Sequence, residues 1–482
     1  MNAPYPLAEA GSLKAPSPEG LSNVALMPGG LTAFAARVEA ARAAKTSLDL
    51  QYYNWRNDLT GQLLAREVLH AADRGVQVRV LLDDMYAIGR ERVLGALGAH
   101  PQIELRLFNA TRWRRFGLLG LVLEMLFGGW HLNRRMHNKA WIADGRVAIC
   151  GGRNIGDEYF DAADQINFRD LDLLIAGAAA QDAQAIFERY WNYKLSRPVW
   201  RISPVAKRRG GFRALSLLLD AARKTPEARP FFEGLRADPG VARVLAGDLS
   251  QLAAVPPRDI RVVADPPEKV RGQAPEKECL ARAIHDALRG ATKEALLISP
   301  YFVPGEEGAA LLEELSRQGV RVSVVTNSLA ATDVVAVHGG YALYRERLLE
   351  AGVELHELKP SGEEAVSVFG SRGASLHTKA LVIDGLHAFV GSFNLDPRSA
   401  TLNTEMGTFI RHEGVAAGLR EEHARLAEPA RSWRVTRERP GHLLWTAEVQ
   451  GREVTSRTEP EASLRRRFLS RLVQWLPIES QL

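Results

Sequence analysis

"MHNKAWIADGRVAICGGRN", residues 136–154, returns at residues 376–394 as "LHTKALVIDGLHAFVGSFN". Each copy reads His-x-Lys, four residues, Asp, six residues, then Gly-[Gly/Ser]-x-Asn. In extended backbone, residues i and i+2 share a face, so His137 and Lys139 emerge side by side, as do His377 and Lys379. The Asp-Gly pairs at 144–145 and 384–385 predict tight hairpins. Those hairpins return the chain so that Asn154 and Asn394 can face the histidine–lysine pairs. His137, Lys139, Asp144, His377, Lys379 and Asp384 form the candidate catalytic set. Within it the two aspartates fall at turns, where the expected role is to orient backbone or lysine rather than to move a proton. Gly152 stands where the second copy has Ser392, so only one side offers a hydroxyl.

The repetition extends outward from the motif. Residues 47–85 run as a β-rich stretch, a loop, an amphipathic helix, a glycine stop and an apolar strand; residues 295–328 follow the same order. In both, "RG" or "QG" ends the helix and "VQVRVLL" or "VRVSVV" begins the strand, as expected for a glycine C-cap feeding a buried parallel strand. A second helix and strand follow each time, and then the histidine motif. Two homologous α/β lobes are the predicted fold, at residues 31–200 and 256–430. Around them come an N-terminal extension (1–30), a helical linker (201–255) with the basic cluster "AKRRGGFR", and a C-terminal tail (431–482).

A lone histidine is ordinarily structural; a duplicated constellation of histidine, lysine and asparagine is a site. Two imidazoles, two ammonium groups and two amides brought together across a pseudo-twofold axis suit a tetrahedral phosphodiester. Lysine and asparagine would stabilise charge on its equatorial oxygens. One imidazole can attack phosphorus to form a phosphohistidine, while the other protonates the departing alkoxide and later deprotonates the incoming hydroxyl. A nucleophilic histidine needs an acceptor on its other nitrogen. The candidates are Asp170 and Glu405, each downstream of the histidine in its own half. The side chains supply the cations, so the chemistry calls for no metal and no cofactor.

Composition narrows the rest. The 482 residues are 46% apolar with a net charge of +5, enough apolar content for large cores and a mild basic bias that suits anionic partners. That bias is weak for a nucleic-acid groove, which also needs aromatic stacking platforms. Two cysteines, Cys150 and Cys279, provide neither a disulfide framework nor a metal spacing. The N-terminus shows no signal-peptide pattern. The greasiest run, Phe116 to Trp130, holds 15 residues with Glu124 inside, too short to cross a bilayer but of interfacial length. Preceded by "RWRR", it is a candidate membrane contact through Phe116, Leu118, Leu119, Leu121, Leu126, Phe127 and Trp130; a buried core helix is the alternative. The last helix repeats the pattern, with Phe468 and Trp475 on an apolar face flanked by arginines.

The duplicated motif resembles the phospholipase D superfamily over residues 45 to 412. "NRRMHNKAWIADG", "GGRNIGDEYF", "SLAATDVVAVHGGY", "LHTKALVIDG", "GSFNLDPRSATLNTEMG" and the closing "LPIESQL" are similar to bacterial cardiolipin synthases of the C-type branch. The resemblance implies an α/β fold of two phospholipase D-like lobes, each a mixed β-sheet flanked by helices, packed with pseudo-twofold symmetry. It implies metal-independent phosphatidyl transfer with phosphatidylglycerol as acceptor and phosphatidylethanolamine or phosphatidylglycerol as donor. It further implies His137 as nucleophile, His377 as acid and base, Asn154, Asn394, Ser392, Asp170 and Glu405 as substrate-binding or supporting residues, and a peripheral place on the cytoplasmic side of the bacterial inner membrane. A hydrolytic phospholipase D would use the same residues, as would a nucleic-acid phosphodiesterase. The sequence leaves open whether a second copy or an accessory protein takes part.

Overall fold

The computed structural model describes residues 22–476 and 479–481, apart from 112, 114, 115, 128, 129, 165, 203–210, 249–251, 253 and 361–372. Most of the predicted linker cluster at 206–213 and the "RWRR" arginines therefore lie outside the described residues. The chain divides into two units: Met1–Ala162 with Asp172–Pro257 and Arg261–Val263, and Ala163–Leu171 with Arg258–Ile260 and Ala264–Leu482.

The first unit is built on β1 (Ser22–Met27), β2 (Ser47–Tyr52), β3 (Gln77–Asp83), β4 (Ile103–Phe108), β5 (Ala140–Ala143), β6 (Val147–Gly151), β8 (Asp172–Gly177) and β9 (Ser196–Pro198), in the order β1-β8-β6-β5-β2-β3-β4-β9. Only β2, β3 and β4 run parallel to one another. They are the strands joined by crossover helices, which parallel neighbours require. The first crossover, Leu59–Asp73, starts at Asp58, whose carboxylate accepts the Gly61 N–H, and stops just before Gly75 at φ 94°. Strand β1 falls within the stretch that the sequence assigned to the N-terminal extension. Its register from Ser22 to Met27 pairs antiparallel with β8. Helices Phe212–Ala222, Ala228–Ala237 and Pro239–Leu245 follow β9 in the same unit.

The second unit carries β7 (Ile166–Arg169), both ends of β10 (Asp259–Ala264), β11 (Glu294–Ile298), β12 (Arg321–Asn327), β13 (Glu354–Leu358), β14 (Gly373–Leu376), β15 (Ala380–Ile383), β16 (His387–Gly391), β17 (Met406–Arg411), β18 (Ser432–Arg439), β19 (His442–Val449) and β20 (Arg452–Ser456). Its main sheet runs β10-β17-β16-β15-β11-β12-β13-β18-β19-β20. The crossover Gly305–Arg317 ends before Gly319 at φ 88° and feeds β12 parallel to β11, as its counterpart does in the first unit. Strand β7, drawn from the first half of the sequence, belongs to this second unit and pairs parallel with β14 directly ahead of His377.

The C-terminal helix Leu464–Val473 lies against helix Val335–Glu350. Gly339 permits that approach: a Cβ there would sit 2.8 Å from the Ser470 carbonyl oxygen and 2.9 Å from Val473 Cβ. Beneath the crossing, Arg345 is buried with its guanidinium 2.8 Å from His338 Nε2, 2.8 Å from Glu459 Oε1 and 3.1 Å from Glu357 Oε1. The family-like string around His338 thus pins the C-terminal region to the lobe.

Candidate active site

Both Asp-Gly turns form, but each connection is one residue longer than the two-residue hairpin that the Asp-Gly pair signals: Ala143 pairs with Val147 and Ile383 with His387. Asp144 and Gly145 have φ of 53° and 63°, Asp384 and Gly385 of 53° and 66°, the left-handed pairs that type I′ turns need. The aspartates use the turn to hold a neighbouring loop. Asp144 accepts the backbone N–H groups of Lys45, Thr46 and Ser47 and the Thr46 hydroxyl. Asp384 does the same for Thr292, Lys293 and Glu294 and the Thr292 hydroxyl. Partial burial works against both charges, but the donated bonds prevail and hold each carboxyl below its ordinary range.

The histidine–lysine pairs sit just before the strands rather than in them, since β5 begins at Ala140 and β15 at Ala380. In the second unit the backbone N–H groups of His377 and Thr378 both donate to the Arg169 carbonyl at the end of β7. The residue ahead of each histidine is fixed by a buried polar side chain: Asp83 accepts the Met136 N–H at 2.9 Å, and Asn327 both accepts from and donates to Leu376. Lys139 and Lys379 are buried, and each ammonium donates to the carbonyl oxygen of the histidine two residues back, at 2.7 Å in the first case. Burial depresses Lys379 to about 8, although the carboxylates of Asp170, Glu405, Asp333 and Asp396 pull it upward. His137 rests edge-on against Tyr53 at 5.1 Å, with the Lys139 ammonium 5.6 Å from the same ring.

The acceptor on His377 is Asp170. Its Oδ2 lies 2.5 Å from His377 Nδ1, both groups buried, and Phe168 covers the imidazole at 5.1 Å. This corrects the expectation that each acidic residue serves the histidine upstream of it. Asp170 follows His137 in sequence, but residues 163–171 are part of the unit containing His377. Sheet register makes Asp170 and Glu405 equivalent. Gly151 pairs with Asp172 and Gly391 with Gly407, so each acid stands two residues before the partner of its glycine. Glu405 is wholly buried and accepts the Ser392 hydroxyl at 2.5 Å; that hydroxyl in turn accepts the Met406 N–H.

The asparagines differ. Asn154 donates its amide to the Tyr159 hydroxyl at 2.9 Å and accepts the Asn54 N–H, so that bond goes to Tyr159 and not to the histidine–lysine pair. Asn394 is buried, and its Oδ1 has no hydrogen-bond partner among the described residues. Sequence reasoning missed Asp396. Wholly buried, it caps helix Pro397–Thr401 through the Ser399 N–H at 2.6 Å, and burial, joined by the Glu405 charge, pushes its carboxyl up to about 7. Its only sequence signal is its place immediately ahead of "PRS", an Asp N-cap followed by Pro at the first helical position. Among the described residues one cluster, His338, Glu357 and Glu459, has metal-ligand spacing, but the Arg345 cation already sits among these groups.

A family model described as "Cardiolipin synthase, PLD-like domain" matches twice, at residues 38–191 and 284–427. The chain belongs to this family. Its relatives include cardiolipin synthase C of Escherichia coli K12, 38% identical over 93% of this chain and 94% of the relative. A cardiolipin synthase of Geobacillus thermodenitrificans is 27% identical over 81% of this chain and 63% of its own. The fold matches a phosphatidylserine synthase of Haemophilus influenzae Rd KW20 with a TM-score of 0.61 at 14% identity, covering 96% and 98% of the two chains. Like these relatives, the protein is a phospholipase D-like enzyme of the phosphatidyltransferase type.

The two candidate membrane segments also take shape. In the helix Gly117–Leu126, Glu124 turns inward, accepting the Thr111 hydroxyl and the Trp113 N–H. Phe116, Leu119 and Val122 face outward with Leu126 and Phe127, the last 76% exposed. The side chains of Leu118, Leu121 and Trp130 lie outside the described residues. On the C-terminal helix Leu464, Phe468 and Leu472 are exposed, and Trp475 just beyond it is 87% exposed. No described helix is long and apolar enough to cross a membrane.

Proposed function

We propose that the protein makes cardiolipin by transferring a phosphatidyl group onto phosphatidylglycerol. His137 attacks the donor phosphorus and the bond to the headgroup alkoxide breaks, leaving a phosphohistidine. His377 gives that alkoxide its proton, then takes the proton of the phosphatidylglycerol hydroxyl as it attacks the phosphohistidine. Donors are phosphatidylethanolamine or a second phosphatidylglycerol. Lys139, Lys379 and Asn394 steady the phosphoryl oxygens, and Asn154 braces the loop beside Tyr159. Asp144 and Asp384 shape the turns that carry the site. The observation that carries this reading is the His377–Asp170 pair: a buried carboxylate on Nδ1 keeps that nitrogen protonated and leaves Nε2 to give its proton to the departing alkoxide and then to take one from the incoming hydroxyl, as acid–base catalysis demands.

The enzyme works at the surface of the bacterial inner membrane, on its cytoplasmic side. Two outward apolar segments support that placement, since such faces bind the bilayer boundary when flanked by basic residues. The test is to supply labelled phosphatidylglycerol in mixed micelles, with and without phosphatidylethanolamine and with a chelator. Cardiolipin with free glycerol is expected, lost in His137→Ala and in His377→Ala. Phosphatidic acid as the main product would establish hydrolysis instead, and loss of activity to the chelator would overturn the metal-independent scheme.

A further inference from the structure

The second unit contains an apolar cavity that the transfer chemistry does not use. Its volume is about 430 Å³, and it opens between helices Leu280–Arg289 and Gly305–Arg317. Ile284 and Leu288 line it from the first helix, Leu311 and Leu312 from the second, and Leu297 and Phe302 from the sheet side. All six are buried. A space of this size, with mainly apolar walls interrupted by the polar residues Arg282, His285, Glu306 and Glu307, falls within the ~300–1,000 Å³ range of small-molecule sites.

Two neighbours say what it is for. Phe393, Leu395 and Asp396 form part of the wall, while Asn394 stands between them in the loop that follows the Ser392–Glu405 bond. The cavity and the candidate site therefore share one loop. Pro397, Ala400 and Thr401 continue the wall to the rim. There Arg398 donates to the Gln481 carbonyl at 3.5 Å, and nearby the Tyr344 hydroxyl donates to Glu479 at 2.5 Å. Leu476, at the end of the exposed apolar stripe, is only three residues from Glu479, a reach of at most ~11 Å. One wall thus adjoins the reacting loop, and the rim adjoins the segment that faces lipid.

We propose that this cavity receives one fatty-acyl chain of a phospholipid substrate, drawn from the bilayer beside the C-terminal helix. The inference rests on the lipid-transfer reading above. Holding a chain there tethers the glycerol phosphate next to the Asn394 loop and makes the enzyme selective for chain length. Each methylene brought out of water favours binding by about fourfold, so two carbons more or fewer in the cavity are readily measured.

The experiment has two arms. In the first, phosphatidylglycerol with a photoreactive diazirine in one chain is placed in phosphatidylethanolamine vesicles, irradiated with the full-length protein, and the adducts are mapped. Adducts are expected on the segments around Leu288 and Leu312, in wild type and in His377→Ala alike; labelling confined to the outer face of the C-terminal helix would refute the proposal. In the second, phosphatidylglycerols of graded chain length compete, and the cardiolipin species are counted. Leu312→Trp, which fills the cavity, is expected to reduce the long-over-short preference at least tenfold while keeping turnover of a dihexanoyl substrate within about threefold; Ala281→Phe at the half-buried edge serves if the first variant does not fold. An unchanged preference would refute the proposal. Chain labelling without transfer in the wild type would leave the cavity assignment standing and overturn the proposed activity instead.

Discussion

Replacing Asp170 by Asn probes the link between the chain's first half and His377. The substitution keeps the shape and an oxygen that can still accept the Leu171 N–H, so the fold should survive. It removes the charge from a 2.5 Å contact between buried groups. A hydrogen bond to a charged partner contributes about 1.5–3 kcal/mol, which at the transition state is a fall of roughly 10–150-fold in kcat/KM. A second effect follows at Lys379. Burial already lowers this lysine to about 8, and Asp170 is the first of the carboxylates opposing that shift. Without the Asp170 charge the ammonium loses a partner and its pKa drops further. Wild-type activity should fall above pH 8 as Lys379 loses its proton, and the variant should begin to fall at lower pH. Initial transfer rates over pH 6–9.5, with melting temperature as the folding control, would show both. A folded Asp170→Asn enzyme within threefold of wild type, with its alkaline limb unmoved, would refute the reasoning.

Glu405→Gln should impair transfer on the same order, about 10-fold or more, because sheet register makes it the equivalent of Asp170; kcat/KM of the folded variant measures it. Asp384→Asn, which tolerates the left-handed turn, should keep more than a tenth of wild-type turnover while losing about 1–2 kcal/mol of stability after discount for exposure, whereas His377→Ala abolishes turnover; denaturant melts and rates read together separate the two. Asp396 has a raised carboxyl, near 7 against 3.8 unfolded, so the folded state binds the extra proton and stability falls as pH climbs from about 4 through 7. Asp396→Asn should flatten that fall and gain on the order of 1–3 kcal/mol over wild type at pH 8 relative to pH 4.5, read by thermal melts. Phe468→Glu with Trp475→Glu should weaken flotation with anionic vesicles at least tenfold and leave turnover of a soluble short-chain substrate near wild type.

What the residues alone determined is local and periodic. The duplicated motif, the Asp-Gly turns, the glycine stops before β3 and β12, and the apolar stripe on the last helix follow from spacing, because backbone geometry repeats every two or 3.6 residues and left-handed turns demand particular side chains; that the stripe stays exposed was decided by the tertiary structure. Strand β1 was not legible, since "SNVALM" is a short apolar run whose partner, β8, lies some 150 residues away. Pairings of that kind decided the chemistry as well. Reading along the chain assigns Asp170 to the nearest histidine motif upstream, His137. Strand β7 instead pairs with β14 and carries the acid to His377, because a hydrogen-bonded ladder fixes neighbours by register and not by sequence distance. Burial is equally a property of the folded chain. Only when strands enclose Lys379 and Asp396 does lost hydration move their proton affinities toward neutral pH, and only helices packed over the sheet enclose the cavity behind Asn394.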